Sequence, residues 1–187
     1  MKKSKVNEPL ESYDRPSSFE EVWKLFEKTD KELSKRFKET DKKIKELANL
    51  FTTQWGKLIE SLVEGELIKL LSGRGIKVES VVQRRKGSRN GISYEFDLIA
   101  VNTTEIVIVE VKTTLRPDDV KEFIEKLKQA KVFMPEYKNM KIYGAVAFLT
   151  ANAGSDVMAE KQGLFVIRAA GGSSKIINKE DFVPAAF

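Results

Sequence analysis

From Ser18 onward the apolar residues recur in heptads. Trp23, Phe37, Ile44, Phe51 and Leu58 share one register position, and Phe26, Leu33 and Leu47 share the position three residues later. Lys, Glu and Asp fill most of the places between them. A seven-residue repeat with two apolar positions is the pattern of a helix that buries a narrow seam against another helix. Ser18 offers an N-cap, and Glu20 and Glu21 place acids in the first turn, where the helix terminus favours them. Asp30 and Thr40 interrupt the seam, as polar residues that set register or oligomer state do. The expectation is a coiled-coil oligomerisation helix over residues 18–54, through which the chain associates with itself.

Near Trp55 the pattern broadens. Leu58, Ile59, Leu62, Val63, Leu67, Leu70 and Leu71 form a wider stripe suited to packing on a sheet, so the helix is expected to continue into a globular domain over residues 55–187. Ser72, Gly73 and Gly75 end it. Ile76 to Val82 reads as a strand, and Arg84 to Gly91 as an exposed basic turn. Ser93 to Val101 and Ile106 to Lys112 read as an antiparallel pair joined by Asn102 to Glu105. Pro117 opens a helix through Val132, Tyr143 to Thr150 is an apolar strand, Asn152 to Gln162 a helix, and Leu164 to Arg168 a core strand. Lys175 to Ile177 is β-like and suits an edge. The order is that of an α/β fold with a mixed sheet. Residues 1–17, polar and carrying Pro9 and Pro16, are expected to form a flexible tail.

Composition narrows the chemistry. The 187 residues include neither cysteine nor histidine. Thiolate metal sites, disulfides, Cys nucleophiles and imidazole bases are therefore excluded, and carboxylates, lysine and hydroxyls remain. Oxygen ligands of this kind suit a hard divalent cation. The net charge of +5 is compatible with a polyanionic partner. No apolar run is long enough to span a bilayer and the start is too polar for a secretory signal, so a cytoplasmic protein without a membrane partner is expected.

The acids then acquire a place. Alternation along a strand puts Glu95 and Asp97 on one face, and Glu110 and Lys112 on one face of the next strand. Two carboxylates held close repel unless a cation lies between them, and Mg²⁺ or Mn²⁺ would relieve that cost. An ammonium beside them, as Lys112 would be, suits hydrolysis of a phosphodiester. The turn with Arg84, Arg85, Lys86 and Arg89 either tracks a phosphate backbone or is a solvated hairpin tip.

Asp97, followed by Glu110-Val111-Lys112, resembles the active-site motif of the PD-(D/E)XK nucleases, which include restriction enzymes and Holliday-junction resolvases. Trp55-Gly56 with Glu60, then Glu95-Phe96-Asp97, then Glu110 to Thr114, all after a coiled coil, looks like a group of prokaryotic nuclease-like proteins of unknown function. The likeness covers roughly residues 20 to 170. It implies a restriction-endonuclease-like αβββαβ core, with Asp97 and Glu110 as ligands of Mg²⁺ or Mn²⁺ and Lys112 assisting the attacking water. Glu60 would be a further ligand from the preceding helix, although Glu64 lies one turn on. Phe96 stands where the motif has proline, and Gln129 with Phe133 matches only half of a Gln/Tyr pattern found in some members. The activity implied is metal-dependent cleavage of DNA, with RNA as the other polymer. The alternative is a protein that retains the fold and binds nucleic acid or another chain without catalysis.

Overall fold

The computed structural model describes residues 18–187, so the tail expected over residues 1–17 lies outside them. The chain divides into two compact units, one up to Asn49 and one from Leu50. Helix α1 (Phe19–Ser72) contributes to both. In the first unit it is the heptad segment, and there Trp23, Phe26, Leu33, Phe37, Ile44 and Leu47 are all exposed.

In the second unit α1 leads into β1 (Ser80–Arg89), β2 (Ile92–Val101), β3 (Glu105–Leu115), α2 (Pro117–Lys128), α3 (Ala130–Phe133), β4 (Lys141–Ala151), α4 (Ser155–Lys161), β5 (Phe165–Ala170) and β6 (Ser173–Ile176). The six strands lie in one sheet in chain order. The pairs β1–β2, β2–β3 and β5–β6 are antiparallel, while β3–β4 and β4–β5 are parallel, each parallel step being made through helices. The fold is an α/β core with the αβββαβ order and a mixed sheet, as the sequence pattern predicts.

Both faces of the sheet are covered, which is why β3 and β4 read as almost unbroken apolar runs. One face packs on α1 through Ile59, Val63, Leu67 and Leu71, at the spacing of one residue per turn. The other packs on α2 to α4 through Val120, Phe123, Leu127, Ala130 and Ala159. The buried Asn178 ties the segment after β6 to β5, its Oδ1 accepting the Val166 N–H at 2.6 Å and its Nδ2 donating to the Leu164 carbonyl at 3.1 Å.

Several boundaries differ from the expected ones. The stretch read as a basic turn is the second half of β1, and the turn proper is Asn90-Gly91, both with positive φ (52° and 76°). Two such residues make the tight hairpin link whose twist matches the strands it joins. The strand itself starts at Ser80 rather than Ile76, because Ile76 is buried under α1 as part of its C-terminal turn region. The helix expected to run from Pro117 to Val132 is broken after Lys128, and α3 starts at Ala130. A Cβ added at Gly56 would meet nothing within 4 Å, so this glycine does not serve a close helix contact.

Candidate active site

Asp97 stands where two strand ladders come apart. Pairing of β2 with β3 stops at Leu98–Val109, and pairing of β1 with β2 passes from Gln83–Leu98 to Arg85–Phe96, omitting Arg84 and Asp97. Arg84 takes a left-handed backbone conformation there (φ 48°), which is costly for a residue with a side chain and is found preferentially at functional sites. Strict alternation also breaks: Phe96 packs in the core beneath α2, whereas Leu98, two residues on, packs in the core beneath α1. The Val111 N–H, which the ladder leaves free, is taken by Asp97 Oδ2 at 2.7 Å. The side chain thus replaces a backbone partner and stays fixed between β2 and β3.

Glu110 and Lys112 share a face of β3, as alternation requires, and their side chains meet, Lys112 Nζ to Glu110 Oε1 at 2.9 Å. The second Glu110 oxygen is held by Lys126 of α2 at 2.7 Å. Lys126 also donates to the Glu95 carbonyl at 2.7 Å and stands 5.3 Å from the centre of the Phe96 ring. Sequence reasoning missed Lys126. Its only signal is that it falls three residues after the buried Phe123, on the same side of the helix. Nothing in the sequence separates it from Lys121 or Lys128, since the choice depends on how α2 lies over β3.

The electrostatics follow from burial. Desolvation, and then the neighbouring Glu110, push the Asp97 carboxyl from 3.8 up to about 6, the hydrogen bond from Val111 only partly offsetting them. For Lys112, burial works against the charged form, but Glu110, Asp119 and Asp97 outweigh it and hold the ammonium above its ordinary value. Lys112 is therefore a cation, suited to stabilising negative charge rather than to accepting a proton.

Glu60 lies at the edge of this group. Its Oε2 accepts both Nε and Nη2 of Arg84, at 2.9 and 2.7 Å, and its charge adds to the forces that raise Asp97. Glu64, its neighbour one turn on, is engaged by Gln83. Of the other basic residues of β1, Arg85 pairs with Glu136, Lys86 pairs with Glu95 at 3.0 Å, and Arg89 is exposed beside the hairpin turn.

No family model and no curated protein matches the sequence. Among solved structures, the chain is similar to a repair endonuclease from Pyrococcus abyssi, with 19% identity and a TM-score of 0.42 over 59% of this chain and 46% of that one. It is also similar to EndoMS in apo form (14% identity, TM-score 0.35, 58% of this chain and 46% of that one). A third likeness is to the EndoMS-dsDNA2 complex (14% identity, TM-score 0.36, 64% and 46%). The chain spans about half the length of these structures. The likeness concerns the fold, and the chemistry rests on the residues themselves.

Among the described residues no three acidic side chains converge as a ready-made metal cage. A Mg²⁺-type site does not require one, because such ions keep several waters and are commonly held by one or two carboxylates together with substrate phosphate. Asp97 and Glu110 fit that pattern as two part-buried carboxylates close enough to interact, Asp97 being raised by desolvation first and then by Glu110. A divalent cation would remove the repulsion that the fold leaves in place.

Proposed function

We propose that this protein hydrolyses phosphodiester bonds of DNA with Mg²⁺ or Mn²⁺, RNA being the alternative polymer. The observation that supports this most is the half-buried Asp97, raised by desolvation and by Glu110, with the Lys112 ammonium on Glu110. Structural ion pairs normally lower a carboxyl, and an acid raised beside a second acid and a lysine is the arrangement that functional sites favour. Asp97 and Glu110 would hold the cation, with Glu60 as a further ligand once Arg84 turns from it. The bound cation supplies Lewis acidity toward the phosphate. Lys112 places a fixed positive charge where negative charge develops during attack. Lys126 keeps Glu110 oriented and covers it from the side of α2.

Arg84, Arg85, Lys86 and Arg89 make up the proposed nucleic-acid contact along β1. Three of them are paired with acids on a surface where ion pairs contribute little, so exchanging a carboxylate for a phosphate costs little. A second reading, a nuclease fold that binds nucleic acid without cutting it, is favoured by one feature: both oxygens of Glu110 are already occupied by lysines. The two are separated by incubating linear, nicked, branched and single-stranded DNA and RNA with Mg²⁺ or Mn²⁺. Metal-dependent cleavage by the wild type, lost in Asp97→Ala, is expected. Binding without cleavage in both proteins would establish the second reading instead.

The proposal includes association through α1. Trp23, Phe26, Phe37, Ile44 and Leu47 are each more than half exposed on a single chain, and two or more copies pairing along the seam would cover them. The seven-residue spacing of these side chains is the geometry that a second helix covers. Sedimentation should show a dimer or higher oligomer that Phe37→Asp with Ile44→Asp converts to monomer. A wild type that sediments as a monomer would refute self-association.

A further inference from the structure

Beside Lys112 the second unit holds an open cavity of about 560 Å³. Its wall carries the aromatic side chains of Phe51 and Trp55, the apolar Leu149, and the cations Lys112 and Arg116. The volume falls in the range of about 300–1,000 Å³ typical of small-ligand sites. The acid in the wall, Asp119, has one carboxylate oxygen committed to the Arg116 N–H at 2.8 Å, where it closes the start of α2. The two rings stand 5.7 Å apart and tilted, and Trp55 retains 38% exposure. Phe51 belongs to the heptad seam, but Trp55 occupies neither seam position, so helix pairing leaves this indole unexplained.

We propose that this cavity takes one unpaired nucleotide of the substrate, its base stacked on Trp55 and its phosphate drawn to Arg116 and Lys112. The inference rests on the reading of Asp97, Glu110 and Lys112 as a phosphodiester site and specifies the substrate class: a strand that is single, or frayed near the scissile bond. Two observations and one physical argument carry it. Lys112 belongs both to the acidic cluster and to the cavity wall, so a chain whose phosphate lies at the cluster has its neighbouring nucleotide at the cavity. The wall pairs aromatic faces with cations, the combination that binds nucleotides without regard to sequence. A base within a duplex has both faces covered by its neighbours, so only one that has left the stack can lie on the indole.

The chain has two tryptophans, and Trp23→Phe leaves Trp55 as the sole indole reporter. In metal-free buffer, a single-stranded oligodeoxynucleotide should quench Trp55 fluorescence saturably, and a blunt duplex of the same sequence should not. In the full chain, Trp55→Ala should weaken single-strand binding by about tenfold and Trp55→Phe should largely restore it, as stacking requires. Far-ultraviolet circular dichroism of both variants should match the wild type. Absence of quenching, or equal quenching by single strand and duplex, would overturn the inference. Cleavage of single strands undiminished in Trp55→Ala removes the nucleotide pocket and keeps the hydrolase. Quenching by single strand without metal-dependent cleavage removes the hydrolase and keeps the pocket.

Discussion

Lys112→Ala should lower metal-dependent cleavage by about 10²–10³-fold, the usual cost of deleting one preorganised group that stabilises transition-state charge. The loss should appear in the single-turnover rate at saturating nucleic acid, where weaker binding from loss of this cavity-wall ammonium no longer enters. The fold should survive the change because of the way Glu110 is held. Removing Lys112 breaks the contact at 2.9 Å, but Lys126 still holds the other carboxylate oxygen at 2.7 Å, so Glu110 is not left as an unpaired buried charge. Lys112 is also about one-third exposed, so its deletion leaves no large core cavity. Fold and activity are therefore separable at this position. If the purified variant cuts as fast as the wild type, the ammonium has no part in the reaction, and the catalytic role assigned to the β3 lysine is wrong.

Asp97→Asn should make the metal-free protein more stable at neutral pH while abolishing cleavage. The native carboxyl titrates at about 6 against 3.8 for the free side chain, so the folded state binds this proton more tightly than the unfolded state does. Stability from this group is then fully present below pH 3.8 and is lost as pH rises through 6. About two units of displacement correspond to about 3 kcal/mol. Asparagine keeps a carbonyl oxygen for the Val111 N–H and carries no charge to desolvate, so most of that deficit should disappear. Denaturant titrations at pH 4, 6 and 8 provide the check: the gap between variant and wild type should widen with pH, on the order of 3 kcal/mol at its largest. A variant less stable than the wild type at pH 8 would mean that the Asp97 charge is stabilised in the fold, and that no repulsion awaits a cation. Added Mg²⁺ or Mn²⁺ should narrow the gap by binding the wild type alone.

Much of this site is legible along the chain. Glu110 and Lys112 lie two residues apart on an apolar strand, and the strand period alone predicts that they meet. The αβββαβ order likewise follows from local patterns, because each element carries its own apolar period and its own stop signals. The basic stretch from Arg84 was harder to place, since Gly87 and Ser88 resemble a turn in sequence. In the sheet the Tyr94 ring covers Gly87 so closely that a Cβ there would stand 2.6 Å from its Cζ, and the cross-strand contact keeps the residue in β1.

Residue types and short spacings settle the inventory and the local geometry: carboxylate and lysine chemistry without imidazole or thiol, a heptad seam, and an acid–lysine pair on one apolar strand. Those properties depend on residue type and on short spacings, which a helix or strand converts directly into a shared face. Long-range packing settles the rest: Asp97 takes the Val111 N–H where two ladders separate, Lys126 rather than another lysine of α2 closes on Glu110, and Trp55 lines a cavity beside Lys112. Each of these joins elements distant in sequence, and the contact depends on how far and at what angle a helix lies over the sheet. Burial, and with it the upward shift of Asp97, is set by that packing, because desolvation belongs to the surroundings of a carboxyl and not to the carboxyl itself.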